Sequence, residues 1–234
     1  MQRRILAVTL AVFACAQSAR AAELSFTATP DVPSTTTNWS QLVVVPRFDP
    51  ALGTLTAVAI RLNATLNAEL IAENRSTSPG GATLTGGIVE TVKIQAAGIP
   101  GFIDVVASAS TFPVGPQSVA TYDGTPFTAE LGSGIFGPDT FRWTIQNGNI
   151  EVTQNYGSGD PVLNAFKGPG SQNMTVMADA MFSLSSSNGN VAAQATSKAG
   201  SHVTVIYTYT PIPEPTTLGM VVVGAGFLVV RRRR

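Results

Sequence analysis

The sequence predicts an all-β fold, an antiparallel two-sheet sandwich of jelly-roll type, and three observations lead there. Only 12% of the 234 residues are charged while 44% are hydrophobic, and Glu, Lys and Gln are too scattered to build amphipathic helices. Thr, Ser, Ala, Val and Gly make up much of the rest, which suits pleated sheets with a Ser/Thr-rich solvent face. Segments that alternate apolar and polar residues recur about every ten to fifteen positions between turn signals, about a dozen in all. No internal repeat of roughly 20–50 residues is visible, which argues against a solenoid.

Glu23–Thr29 alternates Leu24, Phe26 and Ala28 and opens the series. Thr35–Ser40 reads as a polar loop, and Gln41–Val45 as a short strand stopped by Pro46. Asp49-Pro50 and Gly53 punctuate a tight turn. Leu55–Leu62 is apolar on both parities, as expected of a strand buried in a sandwich. Asn63–Asn74 follows as a further strand, with Leu66, Ala68 and Leu70 in phase. Thr83–Gln95 is a strand pair or one bent strand, with Gly86-Gly87 marking a bulge or bend. Phe102–Ala109 and Gln117–Tyr122 are strands separated by Pro113-Val114-Gly115-Pro116. Thr140–Gln146, Asn147-Gly148 and Asn149–Asn155 read as the strongest hairpin of the chain. Thr175–Leu184 is a strand with Val176, Ala178, Ala180, Phe182 and Leu184 toward the core. Asn188-Gly189 turns into Asn190–Thr196, and His202–Thr210 is the last strand.

Both ends of the chain have a different character. Arg3 and Arg4 precede an apolar Ile5–Ala14, and Ala19-Arg20-Ala21 is a small-x-small site, so residues 1–21 read as a signal peptide cut by signal peptidase after Ala21. Cys15, flanked by Ala14 and Ala16, offers a rival reading as a lipid acceptor, which Phe13 fits poorly. It is the single cysteine, so cleavage at Ala21 leaves no thiol for a disulfide, a nucleophile or a metal. Between Ala22 and Ile212 stand seven basic and thirteen acidic residues, a net charge of −6. That excess argues against binding nucleic acid or anionic lipid through charge.

At the other end, Pro213-Glu214-Pro215 is followed by the uncharged Leu218–Val230 and by Arg231, Arg232, Arg233 and Arg234. As a helix the apolar run is roughly 20 Å long, against about 30 Å for a hydrocarbon core. It suits a transient stop in a membrane, with the arginines retained on the cytoplasmic side. This order closely resembles the PEP-CTERM sorting signal of Gram-negative bacteria. The resemblance implies that residues 211–234 are read at Pro213–Pro215 by a membrane-embedded exosortase, which processes the tail and delivers the protein to the cell surface or extracellular matrix. A tail anchor that stays in place is the plainer alternative.

Residues 22–210 then form one ectodomain. Phe48-Asp49-Pro50-Ala51-Leu52-Gly53-Thr54-Leu55, the strand after it, and Tyr207-Thr208-Tyr209-Thr210-Pro211 resemble the choice-of-anchor E group of bacterial surface proteins. That resemblance implies export and display, a structural or adhesive role beside exopolysaccharide or other envelope components, and no catalytic activity or cofactor.

Candidate site residues are few. The single histidine, His202, follows Ser201, but neighbours on a strand face opposite ways and make no dyad. Glu69 and Glu73 share a strand face and read as solvated charges rather than a glycosidase pair. Asp104 and Asp179 sit among apolar residues and, if buried, need a partner or a cation. Asn155–Asp160 and Asp123-Gly124 offer oxygen ligands, though turn chemistry explains them better than calcium does. Trp39, Trp143, Tyr122 and Tyr156 are the aromatic residues to weigh as a sugar platform against core packing.

Overall fold

The computed structural model describes residues 21–110, 116–131 and 135–212. The expected signal peptide up to Arg20, including Ala19, the sorting motif Pro213–Pro215, the apolar run and Arg231–Arg234 lie outside the described residues, as does Pro113–Gly115, while Ala21 is described and exposed. The described chain is an antiparallel β-sandwich, as composition and alternation predict.

Its strands are β1 (Ala22–Thr27), β2 (Val32–Thr36), β3 (Trp39–Pro46), β4 (Gly53–Asn74), β5 (Ala82–Gln95), β6 (Val105–Ser110), β7 (Gln117–Val119), β8 (Thr140–Tyr156), β9 (Ser171–Ser186) and β10 (Val191–Pro211). Two one-turn helices, α1 (Phe127–Glu130) and α2 (Val162–Ala165), lie in the connections. One sheet runs β1-β10-β4-β8 with β2 alongside β10, and the other runs β3-β9-β5-β6 with β7 alongside β5. The pairs β1·β10, β3·β9, β4·β8 and β5·β6 nest inward along the sequence, so the chain is a long hairpin rolled on itself. Rolling adds the β4·β10 and β5·β9 seams.

The inner faces meet in one core. Ile60, Leu62, Leu66, Val205 and Tyr207 of one sheet oppose Leu84, Ile88, Ile94, Val176 and Met174 of the other. Each such aliphatic side chain contributes about 1.5–3 kcal/mol by leaving water. Tyr207 is wholly buried because its hydroxyl has a partner, donating to Pro46 O at 2.8 Å.

Several expected segments fuse. Leu55–Leu62 and Asn63–Asn74 are one 22-residue strand, and Asn190–Thr196 and His202–Thr210 belong to one 21-residue strand. Thr35–Ser40 is mostly strand, leaving a turn at Thr37-Asn38. The doubled apolar parity of Leu55–Leu62 has a local cause. Leu55 pairs with Tyr209 and Ala57 with Thr208, so Thr56 is left over as a bulge, and its Oγ1 donates to Thr208 O at 2.9 Å. Leu55 and Val58 both reach the core in consequence.

Two turn assignments are corrected. Asn147-Gly148 does not close a hairpin, because Thr140–Tyr156 runs straight through as β8 along β4. Leu66 pairs with Gly148 and Ala68 with Ile145, so the Asn-Gly lies at a bulge opposite Asn67. Nor does Gly86-Gly87 put a bulge in β5 or split it in two, since its pairing with β9 continues in register from Leu84 to Gln95. A Cβ at Gly86 would sit 2.8 Å from Ser183 O and 3.5 Å from the Trp143 ring, so that glycine makes room for the neighbouring strand and the indole.

Candidate functional site

The two poles of the sandwich are built differently. At one pole Ala22 lies opposite Tyr209, and Ile212 N–H donates to Leu52 O at 3.2 Å. The first and last described strands therefore begin and end side by side. At the other pole, where β4 finishes, a polar cluster ties several connections together. Asn74 Nδ2 donates to Ala120 O at 2.7 Å and its Oδ1 accepts from Asn188 Nδ2 at 2.8 Å. Asn74 N–H donates to Asp139 O at 2.9 Å, and Asp139 Oδ2 accepts from Asp123 N–H at 3.0 Å.

Glu73 belongs to that cluster, which corrects its reading as a solvated charge. It is wholly buried, ion-paired with Arg75, and accepts the Phe127 N–H at 2.6 Å. Arg75 in turn donates to Tyr122 Oη at 3.2 Å and lies over that ring at 5.1 Å. Burial follows because the start of α1 closes over the end of β4, where Phe127 reaches Glu73. Glu69, four residues back, is ion-paired with Arg142 and partly exposed. Asp104 and Asp179 are both exposed, and Asp104 accepts from Gln95 Nε2 at 2.7 Å. The residues sequence reasoning missed are Glu90 and Asp139, both wholly buried. For Glu90 a signal existed, since it shares parity with Leu84, Ile88, Val92 and Ile94.

Ser201 and His202 point to opposite faces: Ser201 is buried in the sandwich, and His202 is exposed with Nδ1 3.1 Å from Asp31 Oδ1. The pair borders a polar groove of about 410 Å³ on the outer face of the β10–β4–β8 sheet. Register sets its walls. His202 pairs with Asn63, and Gly200 pairs with Thr65, which pairs in turn with Asn149. Thr65 Oγ1 donates to Asn149 Oδ1 at 3.0 Å. Gly200 forms the floor beneath β2, and a Cβ there would lie 2.8 Å from Ser34 N. The groove thus offers a carboxylate, an imidazole, two amides and hydroxyls on one sheet face.

The two calcium candidates are turns. Asp123 Oδ1 accepts from Thr125 N–H at 2.7 Å, and Asp160 Oδ2 accepts from Gly157 N–H at 2.7 Å. Among the described residues no group of three or more His, Cys, Asp or Glu is placed to hold a metal ion. The four aromatics do not converge. Trp143 packs edge-on against Phe141 in the core, while Tyr156 is buried against Phe102 and exchanges two hydrogen bonds with Ile103. Tyr122 belongs to the polar cluster, and Trp39 begins β3. No helix among the described residues is long and apolar enough to cross a membrane.

No protein-family model and no curated protein sequence matches the chain. Among solved structures it is similar to the STIV MCP, with a TM-score of 0.27 and 11% identity over 82% of this chain and 49% of that one. Dimeric latent PorU from Porphyromonas gingivalis gives a TM-score of 0.23 and 10% identity, over 81% of this chain and 13% of that one. The infectious bursal disease virus Gx strain structure gives a TM-score of 0.15 and 11% identity, over 93% of this chain and 49% of that one. The chain spans about half the length of the first and about an eighth of the second. Likeness at such TM-scores carries no functional argument.

Proposed function

We propose that this chain is an exported, non-enzymatic protein of the cell surface or extracellular matrix. Its leader is removed by signal peptidase and its tail is sorted by an exosortase through Pro213-Glu214-Pro215. The observation that carries this reading is the tail itself: the proline-flanked glutamate, the short uncharged run and the four terminal arginines stand in the order of a PEP-CTERM signal. The fold supports it in one respect. With Ala22 opposite Tyr209, a leader and a tail leave the same pole, and the opposite pole with its Glu73 cluster is free to face outward. The nested strand order supports the finer assignment of the sandwich to the jelly-roll type. A structural or adhesive role beside exopolysaccharide fits an acidic domain whose charged clusters are internally paired.

A second reading, a carbohydrate-binding module, is favoured by the polar groove beside His202. Its volume falls within the range of about 300–1,000 Å³ usual for small-ligand sites. The experiment that separates the readings begins with the intact mass of the protein from its native host, fraction by fraction. Loss of the residues after Pro215, in the surface or medium fraction, is the expected result. An intact Arg231–Arg234 tail in the inner membrane would sink the sorting reading, whereas retention on a polysaccharide column that His202→Ala abolishes would establish the second.

A further inference from the structure

Glu90 lies in the interior between the two sheets with no compensating cation among the described residues. It projects from β5 in phase with Ile88 and Val92 and is wholly buried. Ser197 Oγ, on β10 of the opposite sheet, donates to its Oε1 at 2.9 Å, and the backbone N–H of Asn67 on β4 donates as well. Its Oε2 is buried without a hydrogen-bond partner among the described residues. The Asn67 N–H is available because the β4·β8 ladder slips there, between Leu66–Gly148 and Ala68–Ile145. A bulge of this kind turns a ladder donor out of the sheet plane.

No charged side chain among the described residues faces Glu90 from the elements around it. Its ladder partners are Ala109 on β6 and Ala180 on β9. Lys93 of its own strand and Asp179 of β9 lie on the outer face. On the facing sheet, Glu69 is paired with Arg142 and Lys198 is exposed, all three on the outer surface. The two donors to Glu90, Asn67 and Ser197, also line a shallow groove of about 180 Å³ on that surface, so solvent lies just behind them.

We propose that Glu90 is a proton switch between the sheets: protonated it rests in the core as a neutral acid, and ionised it draws water through the Asn67 bulge and loosens β5 from β4 and β10. A carboxylate taken out of water without a cation favours its neutral form. Burial accordingly raises its pKa from 4.5 to about 7, against the opposing hydrogen bonds from Ser197 and Asn67. The unfolded chain ionises at the ordinary value and the folded chain near neutrality. The stability that the proton supplies is therefore fully present below about 4.5 and is lost as pH rises through about 7. This inference stands apart from the sorting reading, since it concerns the folded domain wherever the protein resides.

The test is a ¹³C titration of the glutamate side-chain carboxyls in the folded protein, with amide exchange followed at Asn67 and Ala68. Glu90 is expected to titrate near pH 7, a signal that Glu90→Gln removes. Opening at Asn67 should increase about tenfold between pH 6 and 8 beyond the change seen in the Gln variant. The switch is overturned if every glutamate carboxyl titrates in the ordinary range, or if the Gln variant keeps the neutral midpoint. Should Glu90→Gln fail to fold, the titration and the Asn67 exchange of the unsubstituted protein decide together, and opening that stays constant between pH 6 and 8 overturns the switch.

Discussion

Glu73 and Glu90 are both glutamates with no exposed surface, on adjacent parts of one sandwich, yet they meet opposite electrostatic conditions. Glu73 lies one residue before the end of β4, with the Arg75 guanidinium and the Phe127 N–H of α1 on its carboxylate. Glu90 sits mid-core with two neutral donors and an oxygen left over. Removing a charge from water costs several kcal/mol per ion, and an ion pair with further hydrogen bonds offsets much of that cost. Neutral donors offset less. Burial alone therefore says little about what a carboxylate does; the charge of its neighbours decides.

Replacing each in turn by leucine gives the sharpest contrast. Glu73→Leu strands the Arg75 side chain and the Phe127 N–H, and the expected loss is about 3–5 kcal/mol by urea unfolding. Glu90→Leu leaves only the Ser197 hydroxyl and one backbone N–H without an acceptor. At pH 8 it is expected to be neutral or to stabilise by about 1–3 kcal/mol, because it removes the uncompensated charge. Equal losses at both positions would end the comparison.

The pH profile sharpens it further. Raising the pH from about 5 to 8.5 should cost the native protein up to about 3 kcal/mol through Glu90, since folded and unfolded pKa values differ by roughly 2.5 units at 1.36 kcal/mol each. Thermal unfolding across that range should show the decline, and Glu90→Gln should flatten it. A profile that keeps its slope in the variant would assign the pH dependence to other groups.

Alternation along the strands was enough to read the sandwich and most of its inward faces, and turn chemistry to read Asp49–Gly53, where Asp49 Oδ1 caps Ala51 N–H at 2.9 Å. Alternation failed at the end of β9, where Phe182, expected toward the core, is exposed beyond Ala178, the last residue that β3 covers. Continuity was not legible. Asn147-Gly148 and Asn188-Gly189 are the same dipeptide, but one lies within β8 and the other carries the chain from β9 across to β10 in the other sheet. What separates them is tertiary: β4 pairs along β8 on both sides of Gly148, so the ladder holds through the bulge. Gly189 has φ +71, and Gly148 stays out of that left-handed region. Gly189→Ala is thus expected to cost about 1–2 kcal/mol for the conformation alone. Gly148→Ala should cost less than about 1 kcal/mol, since its Cβ would lie 3.3 Å from Leu66 O without backbone strain. Chemical unfolding of both variants ranks them. Glu73 was misread for a related reason, because the segment that buries it comes more than fifty residues later in the chain.

The smallest expected effect on stability is also the one that best probes function. His202 and Asp31 are both exposed and 3.1 Å apart, and surface pairs of this kind contribute about 0–1 kcal/mol. His202→Ala should therefore leave the unfolding midpoint nearly unchanged. If the groove is only a solvated sheet face, the variant is silent in binding too, and the display reading needs nothing from this surface. If the groove takes a sugar, the same substitution removes one wall beside Asn63 and weakens retention on polysaccharide while the fold stays intact. A large stability loss would contradict both accounts, because it would mean that His202 holds the edge strand β2 in place through Asp31 and that the groove is part of the scaffold.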